Sequence, residues 1–354
     1  MNLKAIYRCL LLLAVICFSE SLVSAEKVDA SDSRITWVGR ASFEYGGSVR
    51  FDWTGVYCRI RLTGDTLRIH ISDTKRNYYN VYIDRLMSDE PSQVITTQAD
   101  STYTFVMRKG KKVHDVVLQK RTEAEQGRTT FISFETDGHF LQAEPYRPIQ
   151  IEFIGDSYTC GYGIENCDST DRFTPETENV CKSFASILAH KLNADYTVIA
   201  HSGMGVCRNY NSKYPGWTMP RRYRCWFDMD STIRYYGNSE WRPMTVIMLG
   251  GNDFSCGVTP DWKKFRDAYF KLLNQLDDSM VVVCCSKTKD TELSRYVEQV
   301  VLECDHPNAY FFACDFDAYT NHREYLGADK HPNEKAHRRL AEQLYGYIKQ
   351  FFGK

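Results

Sequence analysis

A chain of 354 residues with 44 Lys and Arg against 45 Asp and Glu is close to neutral, and no basic tail or charge block disturbs that balance. This argues against nucleic acid or an anionic membrane surface as the main partner, because both select for clustered positive charge. The length leaves room for two domains of roughly 100–200 residues each.

The N-terminus reads MNLKAIYRCLLLLAVICFSESLVSAEKVD. Lys4 and Arg8 precede an apolar run from Cys9 to Phe18, and Val23-Ser24-Ala25 follow, the order of a secretory signal peptide and too short for a membrane span. Residues 1–25 are expected to be removed after Ala25, leaving a secreted or periplasmic protein. A lipoprotein site at Cys17 fits less well, since bulky Ile16 precedes it. No later stretch approaches spanning length, so no membrane span is expected.

Residues 26–147 hold short alternating runs, Val56, Cys58, Ile60, Leu62 and then Leu67, Ile69, Ile71, broken by Gly64-Asp65, Asn77 and Gly110. Period two with turn residues between predicts half-buried antiparallel strands, hence an all-β sandwich. The texture changes after Glu144-Pro145-Tyr146-Arg147-Pro148. From 148 to 354, apolar strands (IQIEFIG, YTVIA, MTVIMLGG, MVVVCC, AYFFAC) alternate with helices expected near 179–192, 261–276, 291–303 and from about 333. Strands apolar on both faces, separated by helices, predict an α/β three-layer domain with a parallel sheet. Ligands of such sheets collect at the carboxyl ends of the strands.

Four segments fall at those ends. IEFIGDSYTCGYG (151–163) presents Ser157 on a Gly-Asp-Ser turn; AHSGMGVCRNY (200–210) is a Gly-rich loop whose amides can face a ligand; LGGNDFS (249–255) carries Asn252; and LGADKHPNEKAH (326–337) carries Asp329 and His331 before a helix that Asn333 is suited to cap. A serine attacks carbonyls only when a base takes its proton and donors meet the oxyanion. Together the segments supply a nucleophile, a base and donors, the parts of an acyl transfer. Thr159 breaks the G-x-S-x-G elbow, and no Gly-Lys-Ser/Thr completes a P-loop.

With Cys9 and Cys17 in the leader, eleven of the thirteen cysteines remain, so at least one cannot pair within the chain. Cys284, Cys285 and Cys314 read as buried hydrophobes; Cys160, Cys167, Cys181, Cys207, Cys225 and Cys256 lie nearer polar segments and are candidates for disulfides in an oxidising compartment. No C-x-x-C occurs and no histidine pattern accompanies the cysteines, so neither a metal nor any other cofactor is expected. His201, His306 and His337 are expected to be structural or superficial, and Asp156 and Asp253 to brace loops.

Gly-Asp-Ser at 155–157, Gly205, Gly-Gly-Asn-Asp at 250–253 and Asp-x-His-Pro at 329–332 resemble, in order, the four blocks of the SGNH (GDSL-like) hydrolases. GDSYTCGYG, SGMGVCRNY and the preceding GRASFEYGG and FDWTGVYCRIRLTGDTLRI are similar to carbohydrate esterase family two, in which a jelly-roll domain precedes the SGNH domain. The resemblance implies a serine-dependent carboxylic ester hydrolase that removes acetyl groups, with some preference for 6-O positions of hexose units, from plant polysaccharides or oligosaccharides. It implies Ser157 as nucleophile, His331 as base, and the Ser157 and Gly205 amides with the Asn252 side chain as oxyanion hole. Asp329 is expected to complete a triad, although a backbone carbonyl replaces the acid in some members. Among the aromatic residues of 207–241 (Tyr210, Tyr214, Trp217, Tyr223, Trp226, Tyr235, Tyr236, Trp241), Tyr210 is expected in the sugar cleft and many of the rest in packing. A monomer acting on an acetylated polysaccharide or oligosaccharide is expected. Two other classes fit the same residues: another SGNH esterase, such as a lipase-like enzyme or a sialate O-acetylesterase, and a carbohydrate-binding protein without turnover.

Overall fold

A computed structural model describes residues 25–213, 216–235, 244–316 and 321–352. Residues 1–24, where a signal peptide is expected, and Tyr214, Tyr236 and Trp241 of the aromatic set lie outside the described residues. Among the described residues, no helix is long and apolar enough to cross a membrane.

The strands from Glu26–Asp29 to Phe140–Leu141 form one curled antiparallel sheet of ten strands. Its two longest strands, Thr66–Ile83 and Gln93–Val106, pair along most of their length with a register shift between Asp73 and Asn77. Alternation drives the curl: Leu67, Ile69 and Ile71 point inward and are fully buried, where they meet Trp37, Phe51, Phe131 and Phe134. Fully burying a side chain of this size contributes about 1.5–3 kcal/mol, so the aromatic cluster dominates this core.

The second sheet is parallel throughout, with β1 (Ile149–Gly155), β2 (Ala194–Ala200), β3 (Met244–Met248), β4 (Val281–Ser286) and β5 (Ala309–Ala313) in the order β2-β1-β3-β4-β5. β2 and β3 are buried at every position, as strands covered on both faces must be. The order reverses between β1 and β3, and this switch point is where doubly wound sheets open a crevice.

Helices α1 (Ser157–Cys160), α2 (Phe184–Lys191), α3 (Trp262–Leu273), α4 (Glu292–Glu303) and α5 (Glu334–Ile348) connect or close these strands. Three match the expected spans closely. The expected helix at 179–192 is shorter: Asn179 accepts from Cys181 N and starts only a 3-10 turn, Ser183 is extended (φ −71°, ψ 162°), and α2 begins at Phe184. Asn333 caps α5 as expected, its Oδ1 accepting from the backbone N–H of Lys335 and Ala336.

Buried polar contacts weld the two sheets together. Tyr57 donates to Asp195 at the root of β2 (2.8 Å), with the guanidinium of Arg59 on the same carboxylate. Arg40 donates to the carbonyls of Tyr223 and Cys225 (both 2.8 Å), and the carboxylate of Asp52 accepts from Asp228 N (3.0 Å). Glu123, from the sandwich, accepts from Ser202 N at 2.7 Å and so grips the loop that leaves β2. The eleven cysteines from Cys58 to Cys314 are all unpaired, so the structure contains none of the disulfides considered for the polar segments.

Candidate active site

β1 ends in a turn built around Gly155, where an added Cβ would fall 1.9 Å from Thr159 Oγ1. Asp156 caps the single turn of α1 by accepting from Tyr158 N (3.1 Å), and Gly161 ends that turn in the left-handed region (φ 76°). Ser157 therefore stands first in a helix at the carboxyl edge of the sheet, and its N–H donates to no group among the described residues. Its Oγ lies 2.9 Å from Nε2 of His331, which the loop before α5 brings across the crevice. Sequence separation of 174 residues thus collapses to a hydrogen bond.

The imidazole is held by rings. Tyr162 packs against it at 4.3 Å between centroids and Tyr158 meets it edge-on at 5.5 Å; Tyr162 is in turn stacked on Phe173 at 3.9 Å. Burial first, and the charge of Lys287 next, push the pKa of His331 down to about 4, so the ring is neutral at neutral pH and Nε2 is free to accept from the serine.

Asp329 does not take the place expected of it. Its backbone is left-handed (φ 50°), and its carboxylate accepts from Tyr162 Oη (3.1 Å), Arg172 (3.0 Å) and Phe173 N (3.1 Å). No hydrogen bond joins that carboxylate to His331, whose Nδ1 is buried without a hydrogen-bond partner among the described residues. What Asp329 does fix is the Tyr162–Phe173 stack behind the imidazole. From this side the protonated ring is favoured by the backbone of Asp329, by the charge of its carboxylate and by the backbone of Ala328.

Gly205 sits where no side chain fits, since a Cβ would lie 1.9 Å from the Arg208 carbonyl oxygen and 2.4 Å from Asp253 Oδ2. Its N–H donates to Asn209 Oδ1 (3.2 Å). Asn252 donates through Nδ2 to Asp156 Oδ2 (3.1 Å) and to the Met204 carbonyl (2.8 Å), which bridges the nucleophile turn to the glycine loop. Asp253, fully buried, accepts from the N–H groups of Val206, Cys207 and Arg208 at 2.7–2.8 Å. Asp156 and Asp253 are thus loop braces, as expected, and burial lifts both above the ordinary carboxylate range.

Ser157, His331, Asn252, Asp156 and Asp329 line a cleft of about 860 Å³ that also includes Tyr210, 61% exposed, and Lys287, with Gly205 just behind its wall. Lys287 was not anticipated. It follows β4 directly, its Nζ stands 4.0 Å above the Tyr158 ring, and a Cβ on Gly251 would approach that ammonium to 2.8 Å. The only sequence signal is its position one residue past a strand end. Tyr223 and Tyr235 stack on buried Arg40 from the sandwich, and Trp217 lies under Arg221, so these rings pack. His201 is buried and paired with Asp228 (2.6 Å), and His337 accepts from Phe184 N, both structural.

Among the described residues, Glu123, Cys160 and Glu178 bring three ligand-type atoms within 4.8 Å behind α1. Burial first, and the neighbouring Glu123 next, push the pKa of Glu178 well above the ordinary carboxylate range. Lys120, buried beside them, donates to the carbonyls of Asp52, Thr122 and Glu123.

Comparison with known proteins agrees with this geometry. Residues 37–145 match the carbohydrate esterase 2 N-terminal family, and residues 153–339 match the GDSL-like lipase/acylhydrolase family. The chain belongs to the GDSL-like hydrolases of carbohydrate esterase family two. It is 30% identical to a family two carbohydrate esterase from Clostridium thermocellum, solved in complex with cellohexaose, with a TM-score of 0.81 over 90% of this chain and 99% of that one. Among curated relatives, it is 32% identical to the cellulase/esterase CelE of Acetivibrio thermocellus over 92% of this chain, and spans only 40% of that longer protein. It is 27% identical to an acetylxylan esterase / glucomannan deacetylase of Cellvibrio japonicus, over 86% of each.

Proposed function

We propose that this chain is an exported carbohydrate esterase that hydrolyses O-acetyl esters on polysaccharides or oligosaccharides through an acetyl-enzyme. The 2.9 Å contact between Ser157 Oγ and His331 Nε2, at the switch point of the sheet, carries the reading. Ser157 Oγ attacks the acetyl carbonyl while Nε2 takes its proton; the proton then passes to the departing sugar oxygen. Water, deprotonated by the same nitrogen, attacks the acetyl-enzyme and releases acetate and free serine. The Ser157 N–H is the unengaged oxyanion donor. Gly205 N–H and Asn252 Nδ2, which rest on Asn209 and the Met204 carbonyl, are the other donors of the proposed oxyanion hole, each worth about 3–4 kcal/mol.

The base works as part of a dyad. Asp329 keeps its carboxylate on Tyr162, Arg172 and Phe173 N, and serves catalysis by holding the rings that hold His331 and through its charge near the imidazole, without a hydrogen bond to it. Asp329→Asn is therefore expected to keep more than about a third of wild-type kcat, a change in barrier of well under about 1 kcal/mol. A hundredfold loss, measured on 4-nitrophenyl acetate, would restore the acid to a triad.

Substrate position is tested with defined esters. A primary ester can enter the pocket edge-on beside Tyr158 and Tyr162, so acetate is expected to leave 6-O-acetylated hexosides faster than 2-O- or 3-O-acetylated xylosides. Equal or reversed rates, read by enzymatic assay of acetate, assign the cleft to another class of acetylated sugar.

A further inference from the structure

Beyond the catalytic cleft lies a larger groove, of about 1020 Å³, on the far side of the loop that carries Gly205. The partition between them is stiff. The guanidinium of Arg208 donates to the carbonyls of Ser212 (3.0 Å), Asp253 (2.9 Å) and Ser255 (3.2 Å), tying the glycine loop to the loop of Asn252. Gly203, Tyr210 and Ser255 face the cleft; Arg208, Ser212 and Val258 face the groove. A chain molecule with one unit at Ser157 has only this wall to cross.

The groove is lined by Lys213, Arg221, Arg224, Lys264 and Lys271, all exposed and none in an ion pair among the described residues. Its two carboxylates are already committed. Asp261 caps α3 by accepting from Lys264 N (3.0 Å), and Asp267 pairs with Lys263 (2.6 Å) and Arg266 (2.9 Å). In a protein whose net charge is −1, this is a local concentration of cations and not a general basicity. Two of the guanidinium groups are also fixed in orientation. Arg221 lies 3.8 Å over the ring of Trp217, and Arg224 is held by Gln275 Oε1 (2.9 Å), whose own amide donates to the Pro220 carbonyl (3.1 Å).

We propose that this groove is a second binding site that takes the carboxylates of a uronic-acid-bearing stretch of the polysaccharide whose acetyl group reaches Ser157. The identity of the polymer as carbohydrate rests on the proposed esterase function; its anionic character rests on the groove alone. Planar guanidinium groups held in place match carboxylates in two-point contact, and the exposed lysines add a field that falls off over about 10 Å in 0.1 M salt. Single-stranded nucleic acid is a poorer fit, because it needs open rings for its bases and no aromatic residue lines this groove among the described residues.

Native electrophoresis of the intact protein in gels containing polygalacturonate, neutral glucomannan or single-stranded DNA tests the site without relying on ester hydrolysis. Polygalacturonate is expected to retard the protein more than DNA does, with affinity falling about tenfold or more between 0.05 and 0.3 M salt, as for contacts made mainly by charge. Both lysines of the variant Lys264→Glu/Lys271→Glu are exposed on α3, and its retardation should weaken at least about tenfold with an unchanged thermal midpoint. The site is overturned by no retardation in polygalacturonate, by equal retardation of the double variant, or by equal retardation in DNA. An esterase that fails to bind polygalacturonate removes only the groove; a binder that releases no acetate removes only the esterase.

Discussion

Ser157→Ala is expected to lower acetate release from both 4-nitrophenyl acetate and acetylated glucomannan by at least about three to four orders of magnitude, the loss typical of removing a serine nucleophile. The residual rate belongs to the oxyanion donors and to substrate positioning, which the substitution leaves in place. Folding should be nearly unaffected. The hydroxyl makes one side-chain hydrogen bond, to His331, and the alanine keeps the N–H at the start of α1. A thermal midpoint within a few degrees of wild type, beside the kinetic loss, separates chemistry from stability. Turnover near the wild-type rate would mean that some other group attacks the ester. Wild-type protein that releases no acetate while still binding the polymer would place the chain among carbohydrate-binding proteins that share this fold.

Which parts of the site were legible in the sequence follows from what each residue depends on. Ser157 and Asn252 could be placed because strands apolar on both faces end at one edge of a parallel sheet, and that edge is fixed by topology alone. His331 was legible through Asn333: with the cap of α5 supplied by the asparagine, the histidine two residues earlier was left for the crevice. The direction of the Asp329 carboxylate was not legible. It is set by a left-handed backbone at a residue that is not glycine (φ 50°), a conformation that leaves no trace in hydrophobic periodicity.

Long-range partners were equally silent. Arg40 is one of the largest fully buried side chains, and the rings of Tyr223 and Tyr235 stack on it across the two sheets. No local pattern around Arg40 announces that contact. The early start assigned to α2 has the opposite cause, a local one: the apolar period runs back through Val180 and Cys181, but Asn179 caps a shorter turn there and Ser183 breaks the phase. The sandwich was recognisable from alternation, yet its part in the site, the grip of Glu123 on Ser202 N, depends on how the two sheets dock.

Asp253→Ala should be the most damaging substitution outside the reacting groups. The carboxylate accepts from three consecutive N–H groups, Val206 at 2.8 Å, Cys207 at 2.7 Å and Arg208 at 2.8 Å, and the turn they form is the one that presents Gly205. Alanine leaves those donors without an acceptor, at about 1–3 kcal/mol for each group that water cannot reach. Relief of the burial cost of the carboxylate offsets part of this, since burial already lifts its pKa. A net loss of roughly 3–5 kcal/mol is expected from these opposing costs, visible as a fall in thermal midpoint. The three braced N–H groups follow Gly205 directly in the chain, so relaxation of the turn is expected to move Gly205 and kcat to fall about a hundredfold, the effect of losing one oxyanion donor. Asp253→Asn is the grading control. Its oxygen can replace Oδ1 for Cys207 and Arg208, while its amide would face the Val206 N–H, donor against donor, so both midpoint and kcat should lie between those of wild type and the alanine variant. If the alanine variant melts lower but turns over 4-nitrophenyl acetate at the wild-type kcat, the turn is a stability element only, and Gly205 is not one of the oxyanion donors.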